Sequence, residues 1–225
     1  MRVMPTDTTA SLRPSQMTPT ITIVTPWLNH LEFCDGYWDA IEAGAPDEVI
    51  IVDNGSDPPL DFAAIRFEEN RGFCAACNAG LHAATSDAVL FLNDDVELQT
   101  PGWLTKIRDR LEPKTLVGQQ RTEQHAVVDG HLHAYIDGWC VAALTGDLVE
   151  LGGWDETLDE PAYYSDNLLT LRALQAGWQL AHIGHLGLRH LGNGTSRDDG
   201  RRMRHAAANN RQVWEQAVRE ATVAA

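Results

Sequence analysis

A chain of 225 residues, 44% of them hydrophobic, is long enough to bury a core and fits one large α/β domain. Its formal net charge of −15 argues against duplex nucleic acid as a partner of the body of the protein. No stretch approaches the roughly 20 apolar residues of a membrane helix, and no basic segment leads into an apolar run as in a secretory signal, so a cytoplasmic protein is expected.

Residues 1–18 are polar and rich in Thr, Ser and Pro, which predicts a disordered leader. Ile21–Thr25 is a β-branched run that reads as a buried strand ended by Pro26. A helix is predicted from Asn29 to Ala43, then a strand over Val49–Val52 that closes in the turn cluster Asp53-Asn54-Gly55-Ser56. A weaker strand, Ile65–Phe67, precedes the loop Asn70-Arg71-Gly72 and an Ala-rich helix from Phe73 to Ala84. Ala88–Leu92 is a strongly apolar strand that runs straight into Asn93-Asp94-Asp95.

The second half is less regular. Trp103–Leu111 reads as a helix and Leu116–Gly118 as a strand, and Tyr135–Leu144 mixes apolar residues with a glycine. Leu148–Leu151 leads to the Gly152-Gly153 break. A helix over Asp166–Ala176 is closed by Gly177 in a left-handed cap. Trp178–Ile183 is a late strand, followed by a Gly-rich loop to Thr195 and a polar C-terminal helix. Alternating strands and helices of this kind predict a mostly parallel α/β sheet.

In open α/β sheets, ligands bind beyond the carboxyl ends of the strands. Thr25-Pro26, Asp53 to Ser56 and Asn93 to Asp95 all fall at that edge. A buried strand ending in two carboxylates is costly unless their charge is offset. Neighbouring strand residues face opposite ways, so Asp94 and Asp95 are expected to divide the work, one reaching a divalent cation and the other a ribose or sugar hydroxyl. Mg²⁺ and Mn²⁺ take such oxygen ligands together with substrate phosphates and would ease departure of a diphosphate. Asp53 either accepts from a base N–H or ribose hydroxyl, or closes an Asx turn.

Cys74 and Cys77 form a CxxC with no second half to complete a zinc site, and read as buried packing thiols in a reducing compartment. Arg197, Arg201, Arg202, Arg204 and Arg211 cluster near the C-terminus, either as a solvated helix face or as a patch that meets a phosphate-bearing ligand. Of seven tryptophans, Trp139, Trp154 and Trp178 are candidates to face a sugar acceptor, with Trp154 and its neighbour Asp155 preferred.

Taken in order, Ile21–Pro26, VIIVDNGS (49–56), NRGFCAACNAG (70–80), VLFLNDDVEL (89–98), GGWDE (152–156), YYSDNLLTLRALQAG (163–177) and HLGNGTS (190–196) resemble the family 2 glycosyltransferases of the GT-A fold, over residues 20 to 195. The resemblance implies a Rossmann-like GT-A domain over 19–196, with a mixed, mostly parallel sheet. It divides into a nucleotide-binding half, 19–95, and an acceptor half, 96–196, followed by a helical tail, 197–225. It implies Thr25, Pro26, Asp53, Asn54, Asn70, Arg71, Gly72, Asn78 and Asp94 around a nucleotide-diphosphate sugar, a UDP-sugar by default. Asp95 and His190 then stand at a Mn²⁺ or Mg²⁺ ion, and Asp166 is the general base of an inverting transfer.

Without the resemblance, an Asp opening a helix is equally an N-terminal cap. The acceptor hydroxyl stays open among a glycan, a lipid-linked glycan, a protein and a modified nucleobase. Ser165 and Leu168 stand where similar enzymes carry acidic residues, which keeps open a sugar-nucleotide binder without turnover. A sugar-phosphate nucleotidyltransferase is the other alternative, but Pro26-Trp27-Leu28-Asn29-His30 is not the Gly-rich phosphate loop it needs after its first strand.

Overall fold

In the computed structural model the described residues are 18–121, 127–158, 160, 162–192 and 200–224. The expected leader up to residue 17 and Arg197 lie outside them. The chain builds a seven-stranded mixed sheet in the order β10-β6-β9-β4-β1-β2-β3. Its strands are β1 (Ile21–Trp27), β2 (Glu48–Asp53), β3 (Ile65–Arg66), β4 (Ala88–Leu92), β6 (Thr115–Arg121), β9 (Tyr135–Leu144) and β10 (Gln179–His182). Two small antiparallel pairs complete the strands: β5 (Val96–Leu98) with β11 (Leu188–His190), and β7 (Val127–Val128) with β8 (His131–Leu132). The helices are α1 (Cys34–Gly44), α2 (Phe73–Ala83), α3 (Trp103–Arg108), α4 (Thr145–Leu151), α5 (Ser165–Gln175) and α6 (Gly200–Ala224). None of the described helices is long and apolar enough to cross a membrane.

The inner strands are buried on both faces, which is why they read as unbroken apolar runs. Strand alternation then sorts their side chains into two cores. Val24, Val52, Val89 and Phe91 pack with residues of α2, α5 and α6 on one face, while Ile23, Ile51, Leu90 and Leu92 pack with residues of α1 and α3 on the other. β1, β2, β3 and β4 run parallel, as do β6 and β10, and β9 is antiparallel to both β4 and β6. That reversed strand carries its N-terminal residues to the edge where β1, β2 and β4 end.

Pro26 does not end the first strand. It lies within β1, past the last partner on β4 (Val24), where its missing N–H breaks no bond on that side. The following helix starts later than expected, at Cys34, because Asn29 and His30 take positive φ (63° and 35°) and turn the chain first. Leu148–Leu151 belongs to α4, and Tyr135–Leu144 is one ten-residue strand. The C-terminal helix is no free tail: Ala206, Asn210, Trp214 and Val218 recur every fourth residue and are buried, and Trp214 stacks on Tyr164 at 5.4 Å. Cys74, Cys77 and Cys140 are buried free thiols that burial pushes well above their ordinary range, so they are packing residues.

Candidate active site

At the carboxyl edge of the parallel strands lies a cavity of about 620 Å³, a volume typical of small-molecule sites. Pro26 and Trp27 of β1, Asn54 after β2 and Asn93-Asp94-Asp95 after β4 form one side. Tyr135, Asp137, Gly138 and Trp139 of β9 form the floor, and Ser165-Asp166-Asn167 of α5 and His190 of β11 close the other side. Asn70 reaches the same wall.

Tyr164, not Asp166, holds the N-cap position of α5, although Asp166 Oδ1 accepts the first-turn N–H of Asn167 at 2.9 Å. Asp166 Oδ2 accepts the backbone N–H of Gly138 across to β9 at 3.1 Å. A Cβ at Gly138 would stand a tight 3.1 Å from the Asp166 Cβ, so a side chain there would press on the carboxylate's position. Burial, and then the charge of Asp137, push the Asp166 carboxyl up to about 7. A carboxylate poised near neutrality at a cavity wall has the pKa of a general base.

Asp94 and Asp95 are 8% and 2% exposed, and both line the cavity. The expected alternation does not apply to them, because β4 ends at Leu92 and the pair sits in the bend that follows. Burial and the Asp95 charge push the Asp94 carboxyl up to about 7. The β5–β11 pairing sets His190 opposite Val96, and the Leu191 N–H donates to the Asp95 carbonyl at 2.9 Å. As a result His190 Nε2 comes to 3.0 Å from Asp95 Oδ1.

Two ligands at right angles on an octahedral ion, each at about 2.1 Å, lie about 3.0 Å apart. The pair therefore fits one divalent cation, and an imidazole beside a carboxylate suits a transition-metal ion better than Mg²⁺. Among the described residues no group of three or more His, Cys, Asp or Glu is arranged for a metal, so the other coordination positions would fall to substrate oxygens and water.

Seven of the expected contact residues are not brought to the cavity. Thr25 is fully buried, its hydroxyl 2.8 Å from Tyr37 Oη. Asp53 is also fully buried, and its carboxylate accepts from the Ser56 and Leu60 N–H groups and from the Arg66 guanidinium. Burial pushes that carboxyl up, but these bonds outweigh it and hold it below the usual range. Asp53 thus closes the turn and does not line the cavity. Gly55 lets the turn approach its neighbour: at φ 88°, a Cβ there would lie 2.5 Å from the Glu69 backbone.

Arg71 lies over Phe67 at 4.6 Å, and Gly72 is the N-cap residue of α2. The Asn78 amide bonds Trp154 in both directions and also reaches Glu156, tying α2 to the segment after α4. Trp154 is 2% exposed between Phe73 and Phe91, and Asp155 caps Thr157 locally. Neither lines the cavity, and nor does Trp178, which is buried in the core. Of the three tryptophans, Trp139 is the one on the cavity wall.

Asp53→Asn is accordingly expected to lower stability by about 2 kcal/mol at neutral pH, read by urea denaturation. A depressed carboxyl stabilises above its unfolded value of 3.8 and loses that contribution as pH falls through the lower folded value, so the difference from wild type should close in acid.

Sequence reasoning did not single out Asp137, Gly138 or Asn167. A signal for the first two was available in Asp137-Gly138, a polar break inside an apolar strand. Asn167 is 3% exposed at the cavity wall, and among the described residues neither its Nδ2 nor its Oδ1 has a partner. Natural cores rarely leave such groups unpaired. Asn167→Leu should raise stability by about 1–3 kcal/mol, seen as a higher denaturation midpoint with an unchanged slope.

Comparison with known proteins agrees with this geometry. The profile of glycosyl transferase family 2 matches residues 22–137. An uncharacterized glycosyltransferase of Bacillus subtilis (strain 168), YwdF, is 33% identical over 81 residues, 32% of this chain and 30% of that protein. A mannosyltransferase from Pyrobaculum calidifontis, solved with GDP-Man and Mn²⁺, superposes with a TM-score of 0.59 at 17% identity, over 76% of this chain and 56% of that one. GalNAc-T7, solved with UDP, GalNAc and Mn²⁺, superposes with a TM-score of 0.60 at 11% identity, over 81% and 45%. In each case the chain spans less than two thirds of its relative, and the two structures share with it the GT-A fold. With more than half of its length under the family profile and that fold around its cavity, the chain belongs to glycosyl transferase family 2.

Proposed function

We propose that this chain transfers a sugar from a nucleotide-diphosphate donor to an acceptor hydroxyl, with inversion, using Mn²⁺ or Mg²⁺. The observation that carries the reading is one cavity holding both the Asp95–His190 pair and Asp166. Asn54 and Asn70, bonded to each other at 3.0 Å, frame the nucleotide side together with Pro26 and Asp94. The two solved relatives hold different nucleotides, GDP-Man and UDP, so the base is left to experiment and UDP-sugars are the first to test.

Asp95 and His190 would hold the cation, which when bound neutralises charge on the departing diphosphate. Asp166, fixed by the Gly138 N–H, takes the proton of the acceptor hydroxyl as it attacks the anomeric carbon. We assign the acceptor to the side lined by Tyr163, which is 41% exposed, and the Arg121–Asp137 pair, next to Asp166.

The test is a thermal-shift panel of UDP-, dTDP- and GDP-sugars with Mn²⁺, followed by product analysis with the stabilising donor. A nucleoside diphosphate and a glycosylated acceptor are the expected products. Release of pyrophosphate would instead identify a nucleotidyltransferase, and donor binding without any turnover would identify a binder.

A further inference from the structure

Trp139 touches the Asp95–His190 pair in two ways. Its ring lies parallel to the His190 imidazole, with centroids 5.1 Å apart and planes 7° from parallel. Its carbonyl accepts the Asn93 N–H at 2.9 Å, and the Asn93 side-chain nitrogen is 3.2 Å from His190 Nε2. This follows from the antiparallel register: Cys140 pairs with Leu92, so Trp139 comes to stand beside Asn93 just beyond the end of β4.

Core filling does not account for the choice of tryptophan. Trp139 is 4% exposed, and its buried Nε1–H has no partner among the described residues, an arrangement that destabilises and that a phenylalanine would avoid. What an indole offers in return is a wide, flat face, and here that face covers the imidazole.

We propose that Trp139 is a positioning residue for metal binding: its indole face fixes the His190 ring with Nε2 turned to Asp95, so that both ligands are ordered before the cation arrives. This rests on the reading of Asp95 and His190 as metal ligands. Groups that orient a ligating imidazole ordinarily change metal affinity 10- to 100-fold when removed.

The test is Mn²⁺ binding to the full chain, followed by the electron paramagnetic resonance signal of the free ion, with melting in EDTA as the check of fold. Trp139→Met fills much of the space but has no ring face, and should bind Mn²⁺ about tenfold more weakly. Trp139→Phe keeps a ring and should lose no more than about threefold. If Trp139→Met melts lower yet binds Mn²⁺ like the wild type, tryptophan only fills space and the proposal is overturned. If the wild type itself takes up no Mn²⁺, it is the metal reading that fails, and the proposal falls with it. Should Trp139→Met not fold, Mn²⁺ quenching of tryptophan fluorescence decides. A quenched component present in the wild type and missing in Trp139→Phe supports the proposal, and equal quenching in both overturns it.

Discussion

Asp166→Asn should abolish sugar transfer, by about 10³-fold, while leaving donor and Mn²⁺ binding near wild type and making the folded chain more stable at pH 8. The three outcomes have one origin. Desolvation, and then the charge of Asp137, raise the folded value of this half-buried carboxyl to about 7 against an ordinary 3.8. Between about pH 4 and pH 7 the folded state keeps a proton that the unfolded chain has released, so stability falls as pH rises through that window. Above it, the fold carries a poorly solvated charge that the Gly138 and Asn167 N–H groups offset only in part.

Asparagine keeps the size of the side chain and removes the charge, and its one accepting oxygen keeps the bond from Gly138 while giving up the one from Asn167. Its advantage should be about 2 kcal/mol at pH 8, after allowing for solvent at the cavity mouth, and should vanish below about pH 4. Activity runs the other way. The base must be ionised to accept a proton, so wild-type kcat/KM should rise with pH through about 7, and the variant's residual rate should not. Chemical denaturation at pH 4 and pH 8, beside a pH–rate profile, reads both. A variant that transfers sugar at the normal rate would remove Asp166 from the chemistry. One that loses activity and also stability at pH 8 would make the residue structural.

This opposition between stability and function marks the part of the site that sequence could reveal. Asp94 and Asp95 are carboxylates in a setting that disfavours them and stood out at the end of an apolar strand, whereas Asp166 and His190 were singled out by the family resemblance. Ala88–Leu92 was legible to the residue because a strand buried on both faces shows one continuous apolar run. What could not be read depends on partners far along the chain. β5 and β11 have three residues each and exist only through their pairing, so His190 read as a loop residue. Asp53 looked available for a ligand because the spacing gives no hint that Arg66 crosses from β3 to take it. Asn78 and Trp154 looked like separate site residues, yet they bind each other across 76 positions. Alternation predicted opposite duties for Asp94 and Asp95, and it lapsed once the strand ended two residues before them.

Asp95→Asn is expected to weaken Mn²⁺ binding by about 100-fold or more and transfer by about a thousandfold, with no loss of stability. Asp95 is buried, and its carboxylate meets the imidazole of His190. The backbone bond from Leu191 to its carbonyl holds the β5–β11 pair in place and does not involve the side chain, so the local fold should survive. Removing the charge also relieves Asp94, whose carboxyl is pushed up by burial and by Asp95 itself. The change therefore removes a ligand without opening a cavity or stranding a charge.

His190→Ala tests the same ion from its other side. If both residues hold one cation, their effects should be coupled, and the double variant should lose less than the sum of the two single losses in binding free energy. Chelation should silence the wild type, and added Mn²⁺ should restore it. Titration of all three variants, with urea melts in parallel, separates the possibilities. Full additivity of the two losses would place the residues at different sites, and wild-type Mn²⁺ affinity in Asp95→Asn would mean that the carboxylate holds no metal.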